Sequence, residues 1–141
     1  MTFIQSELDK IARNCDHFRF PKCVGRDCIG RLNEDVAIKI SFKAMQSSGI
    51  YNALQIRLIN RVGGDIDTQL IPFADLWGKV RMNGSGDIIR PHIWEDNGNP
   101  HWYGFTPTES QYIRLYQAVE SYLECFAEPE QTESEEMDYS I

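Results

Sequence analysis

Residues 106–127 read TPTESQYIRLYQAVESYLECFA, and they carry the clearest structural pattern in the chain. Thr106 is a predicted N-cap, Pro107 suits the first helical position, and Glu109 completes a T-x-x-E capping box. Hydrophobic residues then recur three and four positions apart, which places them on one helical face. These residues are Tyr112, Tyr116, Val119, Leu123 and Phe126. The pattern predicts an amphipathic helix over 107–127 that needs an apolar partner.

The predicted partner is one face of an antiparallel sheet. Apolar and polar residues alternate in the preceding strands, which gives each strand one buried and one wet face. The expected strands are 28–32, 36–43, 54–59, 65–71, 88–95 and 101–105. Two hairpin turns are predicted, at Gly63-Gly64 and at Asn97-Gly98, and the second pairs Trp94 with His101. Residues 15–25, which contain Pro21, break the periodicity and are expected to be irregular.

An N-terminal helix over residues 3–14, with Thr2 as its cap, completes the predicted architecture. The fold class is therefore α+β, a mostly antiparallel sheet of about five or six strands with an N-terminal and a C-terminal helix packed on it. The alternative partner for the C-terminal helix is its own copy in a second subunit. Both a monomer and a homodimer are consistent with the pattern.

The charge of the chain is unevenly divided. The formal net charge is −7, but six of the 21 acidic residues lie in 128–141, which holds no Lys or Arg. The rest of the chain contains 15 acidic and 14 basic residues. Few apolar residues and concentrated like charge predict that 128–141 is a disordered acidic tail beside a single globular domain, residues 1–127.

The sequence gives no sign of membrane association. No apolar run approaches the roughly 18 residues that a spanning helix needs, and residues 1–10 lack the basic-then-apolar order of a secretion signal. We therefore expect a cytoplasmic protein with no membrane partner.

A candidate zinc site lies in the pattern Cys15-x-His17-x5-Cys23-x4-Cys28. Thiolates and an imidazole are suitable zinc ligands, and a bound ion would pin a segment with little periodic structure. The spacing matches no standard zinc finger, so free, partly buried cysteines are the favoured interpretation. No other cofactor is indicated.

Residues 10–31 form a basic segment with six cations against Asp16 and Asp27. Phe18 and Phe20 lie between these cations, and single-stranded nucleic acid is bound by such a combination of basic charge and aromatic rings. The candidate binding residues here are Arg13, Arg19, Lys22 and Arg26. A solvated basic face with two core phenylalanines is the alternative.

The Asn97-Gly98 hairpin carries the other candidate binding residues, Trp94 and Trp102. Exposed aromatic residues form recognition surfaces, whereas packing beneath the C-terminal helix is the alternative. His92 and His101 could act as acid and base, but no nucleophile stands at a recognisable spacing from them.

No phosphate-binding loop, dinucleotide fingerprint, nucleophile elbow or zincin motif occurs in the sequence. No catalytic residue is therefore assigned, and the indication is against an enzyme. The first hypothesis is a small binding module, an inhibitor or accessory protein that masks a basic, nucleic-acid-handling protein with its acidic end. The alternative hypothesis is nucleic-acid binding by residues 10–31, with or without a bound zinc ion.

Overall fold

The computed structural model describes residues 1–46 and 49–138, which form an α+β fold. Its helices are α1 (Phe3–Arg13), α2 (Phe73–Trp77) and α3 (Glu109–Asp138). Its strands are β1 (Arg19–Val24), β2 (Asp27–Arg31), β3 (Val36–Lys43), β4 (Ile50–Tyr51), β5 (Ala53–Asn60), β6 (Asp65–Pro72), β7 (Val80–Arg81), β8 (Ile88–Ile89), β9 (Ile93–Asp96) and β10 (Asn99–Trp102). Within the described residues, no helix has the length and apolarity that crossing a membrane requires.

The main sheet has the strand order β1-β2-β3-β5-β6, and all its neighbouring strands are antiparallel. The predicted α+β class with a mostly antiparallel sheet is thus confirmed. Successive side chains of a strand point to opposite faces of the sheet. Ile38, Ile40 and Ile56 are therefore fully buried on the inner face, and Lys39 and Arg57 lie on the outer face. The fold has two smaller sheets besides the main sheet, with the strand orders β10-β9-β4 and β7-β8.

The helices cover the inner face of the main sheet. Leu8 and Ile11 of α1 and Val119 and Leu123 of α3 belong to the same buried cluster as the inner strand residues. The side of this core next to α2 is aromatic, with Phe73 stacked on Trp77 at a ring-centroid distance of 5.4 Å. The C-terminal helix therefore packs on the domain's own core. A homodimer stays a prediction.

The start of α1 is as predicted, but the start of α3 is not. The Thr2 hydroxyl accepts a hydrogen bond from the Gln5 N–H at 3.1 Å in the expected capping box. At α3 the capping pair is Thr108 and Gln111, with reciprocal bonds of 3.1 and 2.8 Å, so the predicted cap at Thr106 is wrong. Pro107 is buried ahead of the helix, which begins two residues later, at Glu109.

Helix α3 ends at Asp138 and has 30 residues, which corresponds to a length of about 45 Å. It therefore runs past residue 127, where the predicted helix and globular domain end. The division into a domain of residues 1–127 and a disordered tail of residues 128–141 stays a prediction, and residues 139–141 lie outside the described residues.

Part of the segment expected to be irregular forms β1 instead. The pairing of β1 with β2 shifts between Arg19 and Lys22, and the irregularity holds Phe20 at φ +54° next to Pro21. Because β1 is an edge strand, the missing N–H of Pro21 removes no ladder bond on the open side. Pro21 therefore does not prevent a strand here.

The predicted turn between β9 and β10 is confirmed, but the predicted strand 88–95 is wrong, because it divides into β8 and β9, which belong to different sheets. Asn97 and Gly98 have φ values of +52° and +77°, as a type I′ turn requires. The register pairs Trp94 with His101 and places Trp102 opposite Ile93. The two tryptophans consequently lie on opposite faces of the hairpin.

Candidate functional site

The outer face of the main sheet gathers basic side chains from all five strands except β6. Register partners share a face, and one row runs Lys22, Ile29, Lys39 and Arg57 across β1, β2, β3 and β5. A neighbouring row pairs Arg19 with Arg31, and Lys43 lies further along β3. We call this surface the basic face, and its cations are Arg19, Lys22, Arg31, Lys39, Lys43 and Arg57.

Two strand carboxylates share the basic face with these six cations. Asp27 lies 3.6 Å from Lys39, and Asp65 lies 2.6 Å from Arg57. Among the side chains that the structure describes, Arg19, Lys22 and Lys43 have no carboxylate within 4.0 Å. The strand residues of this face therefore carry four more positive than negative charges.

Phe20 provides an aromatic ring at the edge of the basic face. Its side chain is 71% exposed, and the Arg19 guanidinium carbon lies 5.5 Å from the ring centroid. A bulky residue at positive φ costs free energy, and such positions cluster at functional sites. Phe18 is different, because it is 4% exposed and belongs to the core.

The predicted cationic residues separate into two pairs. Arg13 bonds to Asp9 at 2.9 Å and Arg26 to Glu95 at 2.6 Å, so both already have carboxylate partners. The hydrogen bond from the Tyr51 hydroxyl, together with Arg26, holds the pKa of Glu95 below its usual range. Arg19 and Lys22 belong to the basic face.

The four predicted zinc ligands lie in three separate places. Cys23 and Cys28 are register partners on β1 and β2, whereas the Cys15 thiol donates to the Tyr116 carbonyl oxygen. His17 contacts Glu120 of α3 instead of any thiol. The structure does not bring these four side chains together among the residues it describes.

The two buried thiols are held in their protonated form. Burial, followed by the negative charge of Glu120, raises the pKa of Cys15 to about 12. Burial also raises the pKa of Cys28 to about 12, with the neighbouring Cys23 as the next cause. Thiolate is the species that binds metals and attacks electrophiles, so neither position favours that chemistry at neutral pH.

The two predicted aromatic binding residues lie in different environments. Trp102 is 8% exposed and packs in the core against Phe73, at a centroid distance of 5.2 Å. Trp94 is half-buried on the other face of the hairpin, beside Tyr103. The register of this hairpin therefore leaves Trp94 as the surface residue of the pair.

The histidines of this hairpin bond to nearby backbone. His92 Nδ1 lies 2.8 Å from the Arg90 carbonyl oxygen, and His101 Nδ1 lies 3.1 Å from that of Asn99. His92 also stacks on the Tyr103 ring at 5.0 Å. These contacts fix the two rings in place and do not aim them at a nucleophile.

The predicted binding segment, residues 10–31, contains only half of the cations of the basic face. The other three, Lys39, Lys43 and Arg57, lie on the predicted wet faces of later strands. The basic face becomes visible only when the wet residues of all neighbouring strands are added together. The order of the strands is needed for that sum.

Comparison with known proteins gives no match to a family model, to a curated protein or to a solved structure.

Proposed function

We propose that the protein is a non-enzymatic binding module that binds single-stranded nucleic acid on the basic face. The observation that carries this proposal is the presence of six cations and two carboxylates on one face of one sheet. Phosphate groups bind such a surface by displacing their condensed counterions, which favours association without a shaped pocket.

The exposed ring of Phe20 favours a single strand over a duplex. An exposed ring beside a guanidinium can stack on an unpaired base, which a duplex keeps inside its own stack. Neighbouring strands of a sheet lie about 4.8 Å apart, so the row of Lys22, Lys39 and Arg57 crosses roughly 15 Å of surface. A nucleic-acid strand that lies along this row of side chains would contact several cations in succession.

The double variant Lys22→Ala/Lys39→Ala tests this surface. Each phosphate contact to a single strand contributes about 0.7 to the slope of log K against log salt, so the slope should become less steep by roughly 1.4. Affinity near 100 mM salt should fall roughly tenfold. Fluorescence anisotropy of labelled single-stranded DNA and RNA, titrated from about 50 to 200 mM salt, measures both quantities.

Lys79→Ala/Arg90→Ala is the matched control, because it removes the same charge from exposed positions outside the main sheet. It should leave the salt slope nearly unchanged. Equal losses in both double variants would show that only net charge matters. Salt-independent binding, or no binding by the unaltered protein, would contradict the proposal.

A second candidate function is the masking of a basic, nucleic-acid-handling protein, and the charge of α3 favours it. Glu109–Asp138 contains nine acidic residues and a single basic one, Arg114. A helix of this length and charge can occupy a cationic groove that otherwise holds a polyanion.

Deletion of residues 128–141 tests the second candidate, because it removes six of the acidic residues. Binding to an immobilised polylysine surface, measured by biolayer interferometry, should weaken roughly tenfold and lose most of its salt dependence. A full-length variant with the six acidic residues replaced by Gln and Asn should lose binding to the same extent, because it removes the same charge and keeps the length. If the deletion variant binds polylysine as tightly as the full chain, the acidic end has no part in the function.

A further inference from the structure

Three metal-ligating side chains from distant parts of the chain meet beside α3. His17 follows α1, whereas Glu120 and Glu124 lie about one turn apart on α3. The ligand atoms of all three residues lie within 4.8 Å of one another. In the described part of the chain, no other group of three His, Cys, Asp or Glu side chains is this close.

Glu120 fixes the position of His17 with both of its carboxylate oxygens. Oε1 accepts a hydrogen bond from the His17 backbone N–H at 3.0 Å, and Oε2 lies 2.5 Å from Nδ1 of the ring. Both residues are half-buried. The imidazole and one carboxylate are therefore held together before any ion binds, which lowers the entropic cost of binding.

Glu124 completes the group from the solvent side. Its side chain is exposed and free to adjust, and it borders a groove of about 300 Å³ that Asn14 and Ser121 also line. Zinc bonds of about 2.0–2.2 Å set tetrahedral ligand atoms roughly 3.4 Å apart. Binding would thus need an inward movement of Glu124, an opening of the His17–Glu120 contact by about 1 Å, and release to solvent of the proton held in that contact.

We propose that His17, Glu120 and Glu124 form a binding site for a divalent first-row transition-metal ion, with Zn²⁺ as the test ion. An imidazole nitrogen and two carboxylates form a donor set that Zn²⁺ accepts, whereas Ca²⁺ and Mg²⁺ take oxygen ligands. Three protein ligands leave coordination positions open, and the groove gives water or a small anion access to them.

Competition with a zinc-sensitive dye tests the site on full-length protein freed of metal with chelator. One equivalent of Zn²⁺ should bind with micromolar or tighter affinity. His17→Gln and Glu124→Gln should each weaken binding about tenfold or more, since each removes one of three ligands. Glu109→Gln is the matched control, with the same charge change at an exposed position on the same helix.

Glu124→Gln keeps the test independent of folding, because its side chain is exposed, and thermal unfolding of each variant checks this directly. Co²⁺ substitution separates this site from the cysteines, because thiolate ligation produces strong near-ultraviolet charge-transfer absorption and nitrogen–oxygen ligation does not. A thiolate band, equal affinity in Glu124→Gln and unaltered protein, or no Zn²⁺ binding below millimolar concentration would overturn the proposal.

Discussion

Replacing Gly30 with valine should destabilise the fold by about 3 kcal/mol or more, because β2 has no room for a side chain there. A Cβ atom on Gly30 would lie 2.3 Å from a ring carbon of Phe18 and 2.7 Å from the Arg19 carbonyl oxygen. The second contact is with backbone, so rotation of a side chain cannot relieve it. Urea unfolding with linear extrapolation measures the loss.

Gly25→Ala is the control in the same hairpin. Nothing lies within 4 Å of a Cβ at Gly25, although its φ is +62°. The cost should be only the left-handed strain of about 1–2 kcal/mol. If Gly30→Val is no worse than Gly25→Ala, the close packing of Phe18 on β2 is not important for stability. Because the packing of Phe18 on β2 positions β1, Gly30→Val should also disturb the part of the basic face that β1 contributes.

Glu7→Leu should cost about 3 kcal/mol, because it removes the acceptor of one buried and one half-buried donor. Glu7 is 7% exposed, and its Oε1 accepts hydrogen bonds from Trp102 Nε1 at 3.1 Å and from the Tyr112 hydroxyl at 2.7 Å. Lys10 lies 3.1 Å from the other oxygen. The carboxylate thus links α1 to β10 and α3, and leucine would leave both donors without a partner.

Glu7→Gln is the matched control, since its amide oxygen can still accept both hydrogen bonds, whereas the charge and the bond from Lys10 are lost. It should cost about 1 kcal/mol or less, the value of a partly exposed ion pair. Chemical denaturation of both variants compares the two losses. Equal destabilisation by Leu and Gln would mean that the charge, and not the acceptor, is the stabilising property of Glu7.

Most individual elements could be predicted because their causes are local. The capping box at Thr2, the alternation of β3 and β5, and the positive φ values of Asn97-Gly98 depend on residues within a few positions of one another. The hairpin register followed directly from its turn. The start of α3 does not follow from the sequence, because two T-x-x-E/Q patterns overlap, at Thr106 and Thr108, and the structure uses the second.

The candidate sites were harder to predict, because their members are distant in sequence. Glu7 meets Trp102 and Tyr112 across about a hundred residues, and His17 meets Glu120 in the same way. The sequence pattern places His17 near three cysteines, but Cys23 and Cys28 are register partners on neighbouring strands, whereas His17 contacts Glu120.

The α+β class, the Asn97-Gly98 turn and the polar sides of β3 and β5 follow from the sequence alone, since local backbone preferences and hydrophobic periodicity act within one element. Which polar sides adjoin depends on the tertiary structure. The order β1-β2-β3-β5-β6 merges separate wet faces into one basic face, and the packing of α3 beside α1 brings Glu120 to His17. Strand order and helix docking depend on how all the apolar faces are buried together, which no single segment encodes.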